Sequence, residues 1–531
     1  MKALLFQGLA GLIAAASLPA GAQKVQHLTL TQPGGMPGRP VITGAAAVSN
    51  GMSITWEGPS GYYRLVESES LTKPVWKVVG KDTNLVLHST VNINLDLPHF
   101  FFRVSGPSPR YAGSAVCADC HSPVLRTVVH TLHEGAFTNA EFVAKGGQTN
   151  ASCLPCHTVG QGLPTGFVSR AKTRKLEGVQ CENCHGPAAS HAANPDDPIW
   201  IPRVEVAATV CGGCHSGPWH PTYQEWEASP HNAVISNLNA TSQINNCGRC
   251  HSGTARLSLI EGQKPLVGDA NMGIVCITCH DPHQTNRYPA QLRYPTASTS
   301  DYFMPTNGVF AKFYNAKINV CGQCHNDTGA SWTNTAGPPH SSSQYNMLLG
   351  TVGELETPGP HSQPGSHALL LTNQCVDCHM QRTPFVSEAV PSATGHTFKV
   401  GTNYTVCLRC HISPEPTALF VQFAQGAVSE QVRQVKADLD YWAETWAATN
   451  APVLWTNYGD RAWEYTTPGQ LSPGGPGPTA EQQALIPTNI QKARFNVYVV
   501  LSDGSLGVHN PEYCVTLLQQ AENWIYEELY P

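Results

Sequence analysis

Nine copies of Cys-x-x-Cys-His fill the middle of this 531-residue chain, and no other feature restricts its fold so strongly. In order, their cysteines and histidine are Cys117, Cys120 and His121; Cys153, Cys156 and His157; Cys181, Cys184 and His185; Cys211, Cys214 and His215; Cys247, Cys250 and His251; Cys276, Cys279 and His280; Cys321, Cys324 and His325; Cys375, Cys378 and His379; and Cys407, Cys410 and His411. Of the 19 cysteines, only Cys514 lies outside them. The pattern reads as c-type haem attachment. Each thiol can add to a haem vinyl group, and the adjacent imidazole can turn to the iron as its proximal ligand. The expected cofactor is therefore haem c, nine copies, covalent, with iron.

One such motif could equally be half of a zinc site or a redox dithiol. A zinc reading does not ask for a histidine directly after every second cysteine. A disulfide framework does not ask for uniform two-residue gaps. Haem attachment explains both regularities.

Charged residues make up 13% of the chain and the formal net charge is −6, with no basic stripe, so nucleic acid is not an expected partner. Glycine and proline are abundant, at 47 and 41 residues. Such a chain can wrap porphyrins with loops and short helices in place of a large side-chain core.

Residues 1–22 read as an export signal: Met1-Lys2, an apolar stretch from Leu4 to Leu18, then the small residues Ala20-Gly21-Ala22. No other stretch is long and apolar enough to span a bilayer. A periplasmic or extracellular location follows as the expectation, and it suits a cofactor attached outside the cytoplasm. Residues 23–106 hold short β-type runs, with a hairpin signal at Ser49-Asn50-Gly51. They read as a β-sandwich loosely similar to fibronectin type III and immunoglobulin-like modules. Residues 107–411 carry the motifs. Residues 412–531 read as helical: Val428, Val432, Val435, Leu439, Trp442 and Trp446 form one apolar face. A second helix is expected over Ile490 to Leu501, although Phe495, Val497, Val499 and Leu501 also alternate as a strand would. Asn510 and Pro511 read as the cap and first residue of a last helix, with Leu517, Leu518, Ala521, Trp524 and Ile525 on its apolar side and Cys514 as a buried thiol. The fold class expected is thus multidomain: a small N-terminal β-sandwich, a haem-packed, loop-rich and mainly α-helical region, and long C-terminal helices.

A haem with two axial histidines moves electrons, whereas one with a single histidine keeps a position for substrate. Spare histidines therefore matter. Ten lie among the motifs: His130, His133, His191, His220, His231, His283, His340, His361, His367 and His396. Ten candidates suffice for nine distal positions. Arg249, Arg287, Arg293, Arg382 and Arg409 lie near motifs and read as partners of haem propionates.

The run Gly178-Val-Gln-Cys-Glu-Asn-Cys-His-Gly-Pro-Ala-Ala-Ser-His191 resembles the multihaem cytochrome superfamily, which includes tetrahaem carriers of nitrifying bacteria, pentahaem nitrite reductases and octahaem hydroxylamine oxidoreductases. The contexts of His133, His231, His283, His340, His367 and His396 are similar to distal-ligand contexts of that group, and His509 lies in a segment like the one leading into its last helix. The resemblance covers residues 107–531. It implies a ligand role for these histidines, with His130, His220 and His361 the weaker matches. Nitrite reductases of the group carry lysine in the catalytic motif, whereas all nine motifs here end in histidine. Hydroxylamine oxidoreductases need a tyrosine cross-link, and neither Tyr404 nor Tyr458 is singled out here.

The leading expectation is electron transfer between redox partner proteins, such as other cytochromes or a quinol-linked donor. The alternatives are a multihaem oxidoreductase acting on a small nitrogen or sulfur compound at one five-coordinate haem, and a subunit of a conductive filament.

Overall fold

The computed structural model describes the backbone of seven short strands before residue 106. It also describes residues 110–531 except 164, 197–200, 203, 205, 236–237, 239–242, 266–271, 285–288, 294–319, 358–363, 372 and 402–403. Most of the export-signal segment, His361 and Arg287 lie outside the described residues. The chain divides into two compact units: residues 1–215 with 281–287, and residues 216–280 with 288–531.

The first unit begins with two small antiparallel sheets. Leu12–Ala14, Phe101–Ser105, Arg64–Ser68 and Lys77–Val78 form one, in that order, and Val41–Val48, Gly51–Glu57 and His88–Val91 form the other. Val48 stands opposite Gly51, as a tight hairpin requires. The face-to-face packing of a sandwich rests on residues outside the described set.

The rest of the first unit holds four motifs on short helices and loops. Its apolar core is small: Tyr111, Phe137, Val159, Phe167 and Leu176. The second unit holds the other five motifs and ends in the main helical core. Helix Pro414–Trp442 runs on through a wide π-helical turn, Ala443–Ala447. Val428, Val432, Val435, Leu439 and Trp442 are all buried. They meet helices Thr488–Asp503 and Pro511–Leu529. Phe495, Val497 and Val499 alternate within a helix, and Asn496 and Tyr498 between them are buried too. A helix covered on all sides loses the one-sided period that identifies an amphipathic one.

Arg494 is fully buried in this core. Its Nη1 donates to the carbonyls of Trp463 and Glu464 at 2.8 Å each and to Gln483 Oε1 at 3.0 Å, and its guanidinium lies 4.0 Å from the Tyr465 ring. The Tyr498 hydroxyl donates to Glu464 Oε1 at 2.5 Å. Gly504, in the left-handed conformation, ends helix Thr488–Asp503. The Asn510 side chain accepts from Tyr513 N and starts the last helix, with Pro511 in its first turn. Cys514 is buried there, as a structural thiol should be. Leu439 is wholly buried, so Leu439→Ala should cost about 2–5 kcal/mol of stability. A denaturant titration followed by Trp fluorescence checks this.

Candidate haem attachment and ligation sites

Each motif is short enough to close within one helical turn, and most do. The amide of the motif histidine donates to the carbonyl of the first cysteine in Cys153–His157 (3.2 Å), Cys211–His215 (2.8 Å), Cys276–His280 (3.0 Å), Cys321–His325 (2.9 Å) and Cys407–His411 (2.8 Å). This is the i to i+4 bond of a helix, and it sets first cysteine and histidine on one face. Thiol and imidazole then address the same side, as attachment and proximal ligation both require. All nineteen cysteines are free of disulfides.

The histidines outside the motifs complete the geometry. Across from His215 stands His133, with ring centroids 6.0 Å apart. His185 faces His283 at 5.9 Å, and His325 faces His231 at 6.1 Å. His251 faces His340 at 5.8 Å, His280 faces His396 at 6.2 Å, and His379 faces His509 at 6.3 Å. Two imidazoles on one metal ion, each bonded at about 2 Å, have their ring centroids roughly 6 Å apart. Six motif histidines therefore stand from a second histidine at the spacing of two imidazoles on one metal ion. Among the described residues no three His, Cys, Asp or Glu side chains converge on a metal position. A structural zinc ion takes four such donors. A porphyrin brings four nitrogens of its own and asks the protein for two, which is what the pairs offer.

Hydrogen bonds at the far ring nitrogen orient these imidazoles. Nδ1 of His157 donates to Ala136 O at 3.0 Å, that of His280 to Ala290 O at 2.7 Å, and that of His379 to Phe398 O at 2.9 Å. His367 Nδ1 donates to Val508 O at 2.8 Å. His340 Nδ1 lies 2.9 Å from Ser342 Oγ, whose own proton goes to Asn326 O at 2.6 Å. His325 Nδ1 meets Gln344 Oε1 at 3.3 Å. A proton fixed on Nδ1 leaves the Nε2 lone pair for a metal. Burial acts in the same direction. It pushes His231 and His396 down to about 4, and lowers His133, His251, His280, His325 and His379, so that the neutral, ligating form prevails.

The motifs also lie against one another. In the first unit Cys117 lies beside Cys181, Cys156 Sγ reaches Gly213 O of the fourth motif at 3.9 Å, and Cys184 lies near Cys214. In the second unit Cys250 Sγ reaches Gln323 O at 3.8 Å and Cys324 Sγ reaches Arg249 O at 4.0 Å, with Cys375 and Cys279 near Cys321 and Cys407 near Cys378. A cavity of about 450 Å³ is lined by Arg110, Tyr111, Val116, Lys175, Ala189 and Ala192, with Val116 and Ala192 next in sequence to Cys117 and His191.

His130 and His220 are exposed. Arg409 pairs with Asp377 at 3.3 Å, while Arg249 and Arg293 donate to the carbonyls of Asn246 and Ile277. Across from His411 stands a phenyl ring, that of Phe420, with centroids 6.0 Å apart. Sequence reasoning missed three residues. Glu225 anchors the loop that carries His396, and Asp503 hydrogen-bonds His509. Phe398, held at a positive φ of 57°, gives its carbonyl to His379 and its ring edge to His231 at 4.3 Å. A strained non-glycine backbone at such a junction fits a functional constraint. No local signature marks Glu225 or Asp503, because each acts on a residue brought near by folding.

The family model described as "Cytochrome c554 and c-prime" matches residues 116–186, which hold the first three motifs. The C-type polyheme cytochrome OmcB of Geobacter sulfurreducens is 26% identical over 296 residues, covering 47% of this chain and 38% of that protein. The chain thus spans well under half the length of this relative. The solved outer cell wall cytochrome OcwA matches with a TM-score of 0.52 at 19% identity, over 78% of this chain and 99% of that one. An undecaheme cytochrome from the S-layer of Carboxydothermus ferrireducens matches with a TM-score of 0.51 at 19% identity, over 79% of this chain and 70% of that one.

Proposed function

We propose, from the premise that the chain belongs to the multihaem c-type cytochrome superfamily, that it is an exported electron carrier with nine covalent, mostly bis-histidine haems. The observation that carries this is the set of six imidazole pairs at 5.8–6.3 Å. Each bound haem supplies one iron that accepts and gives a single electron. The eighteen motif cysteines hold the macrocycles, and the nine motif histidines are the proximal ligands. His133, His231, His283, His340, His396 and His509 are the distal ones. His130 and His191 remain for His121 and His157, and His220, His361 and His367 for His411.

The proximity of cysteines from different motifs supports an order of the sites. In the first unit the motifs adjoin in the order two, four, three, one. In the second they adjoin as five, seven, eight, nine, with six beside seven. Attachment points in such contact keep their cofactors close, which is what passing electrons along the chain requires. Donor and acceptor are redox proteins outside the chain. Two of the similar proteins carry cell-wall and S-layer locations in their names, which supports export; no described helix is long and apolar enough to cross a membrane.

A second reading has one support, Phe420. A phenyl ring cannot ligate iron, so the site at His411 is where a five-coordinate haem and a small-molecule reaction would reside. Electron paramagnetic resonance of the oxidised protein, with and without nitrite or hydroxylamine, separates the two. Low-spin signals unchanged by either compound are expected for a carrier. A high-spin signal that shifts on addition, and is lost in Phe420→His, would replace the carrier reading with the enzymatic one.

A further inference from the structure

The pair His379 and His509 differs from the others in what holds it. Among the imidazoles whose Nδ1 bonds are described above, the acceptors are carbonyls, hydroxyls and an amide, all uncharged. His509 Nδ1 instead meets a carboxylate, Asp503 Oδ1, at 2.6 Å. Among the described residues, Asp281 also lies near a candidate-ligand ring nitrogen, but it stands 3.8 Å from His283 Nδ1, beyond hydrogen-bond length, and that imidazole is half exposed. Asp503 is buried, with its side chain wholly covered.

The local backbone makes this contact obligatory. Asp503 is the last residue of helix Thr488–Asp503, and Gly504 turns the chain back in the left-handed conformation. Leu506 and Gly507 also have positive φ, 50° and 94°. A Cβ on Gly507 would come within 2.8 Å of Val428 Cγ2, so the loop is pressed onto the long helix. Ser505 donates its amide to Asp503 Oδ2 at 3.2 Å, and its hydroxyl bonds the same oxygen. The Ser505 hydroxyl in turn accepts from His509 N at 3.1 Å. Asp503, Ser505 and His509 thus form one closed ring of bonds.

We propose that Asp503 is a positioning residue that lowers the reduction potential of the haem held by Cys375, Cys378 and His379. The inference rests on the reading of His509 as the distal ligand. A carboxylate drawing on the Nδ1 proton makes the imidazole a stronger electron donor at Nε2. A stronger donor favours the ferric over the ferrous state, and low solvent access keeps the charge unscreened. The eighth site is thereby held below the potential that the same two histidines would give it without the carboxylate.

Potentiometric titration followed by electron paramagnetic resonance tests this. Asp503→Asn should keep every low-spin signal and raise one midpoint by a tenfold change in its equilibrium constant or more, about 59 mV for one electron. Ser505→Ala removes a competing donor from the carboxylate and should move the same midpoint the opposite way. Unchanged midpoints in both variants, with one low-spin signal lost in His509→Ala, would overturn the tuning role while leaving ligation intact. If His509→Ala loses no low-spin signal, the ligation reading itself fails and the inference with it.

Discussion

A chain made without covalent haem should lose its middle while keeping its C-terminal helices. Limited proteolysis of haem-free protein is expected to cut throughout residues 117–411 and to leave a resistant fragment containing Pro414–Leu529. The reason is where apolar burial lies. The large buried cluster is built mainly from Val428–Ile525. Among the described residues of the motif region the clusters are slight: Tyr111, Phe137, Val159, Phe167 and Leu176 in one place, Leu238, Ile244 and Ala255 in another, and Tyr345, Leu348, Leu349 and Ala368 in a third. Apolar side chains beside the motifs are left open by the polypeptide alone, with Ile412 102% exposed, Leu132 83% and Phe423 77%. These are surfaces for a macrocycle to cover. A region that cannot bury enough apolar surface does not recover the entropy of ordering its backbone, and the bound group then supplies the folding free energy. Each kcal/mol removed raises the open population about fivefold, so protease sensitivity should rise by orders of magnitude. A haem-free chain whose middle resists protease as well as the holoprotein does would show that side chains alone build this region.

The same distribution explains which parts of the molecule can be read from sequence. The motifs are local, and five residues suffice to place thiol and imidazole on one turn. The face of Val428, Val432, Val435, Leu439 and Trp442 is legible because its other side meets water, and Asn510-Pro511 because capping is a short-range affair. Helix Thr488–Asp503 is ambiguous for the opposite reason: it is buried all round, so helical and strand periods fit equally well. The ten spare histidines are visible as a set, but their partners are not. His251 and His340, or His280 and His396, stand far apart in sequence, with no periodicity linking them to set a register. His509 appears only through its family-like surroundings, and Asp503 carries no sign at all until the Gly504 turn brings it back.

Glu225→Ala should remove the distal ligand of one haem without touching a histidine. His280 and His396 face each other at 6.2 Å, but His396 sits on a loop, not a helix. Glu225, on helix Thr222–Glu227, holds that loop. It accepts from Thr394 N at 2.9 Å, from Thr394 Oγ1 at 2.7 Å and from His396 N at 2.8 Å. With its proton committed to the carboxylate, the Thr394 hydroxyl can only accept from His396 Nδ1, 3.0 Å away. That fixes the tautomer and leaves Nε2 free to ligate. Gly395 completes the turn at φ 82°, where a Cβ would come within 2.4 Å of the Met380 backbone, so the loop has one way to pass. Hydrogen bonds to a charged acceptor are worth about 1.5–3 kcal/mol each, and three are lost together. Removing an outer partner of a metal ligand typically weakens binding about 10–100-fold. The expected result is one low-spin haem turned high-spin and newly able to bind added imidazole. Glu227→Ala, two residues along the same helix, should leave the spectrum as it was. If Glu225→Ala keeps every haem low-spin, the loop is held by the haem and His280, and Glu225 is a bystander.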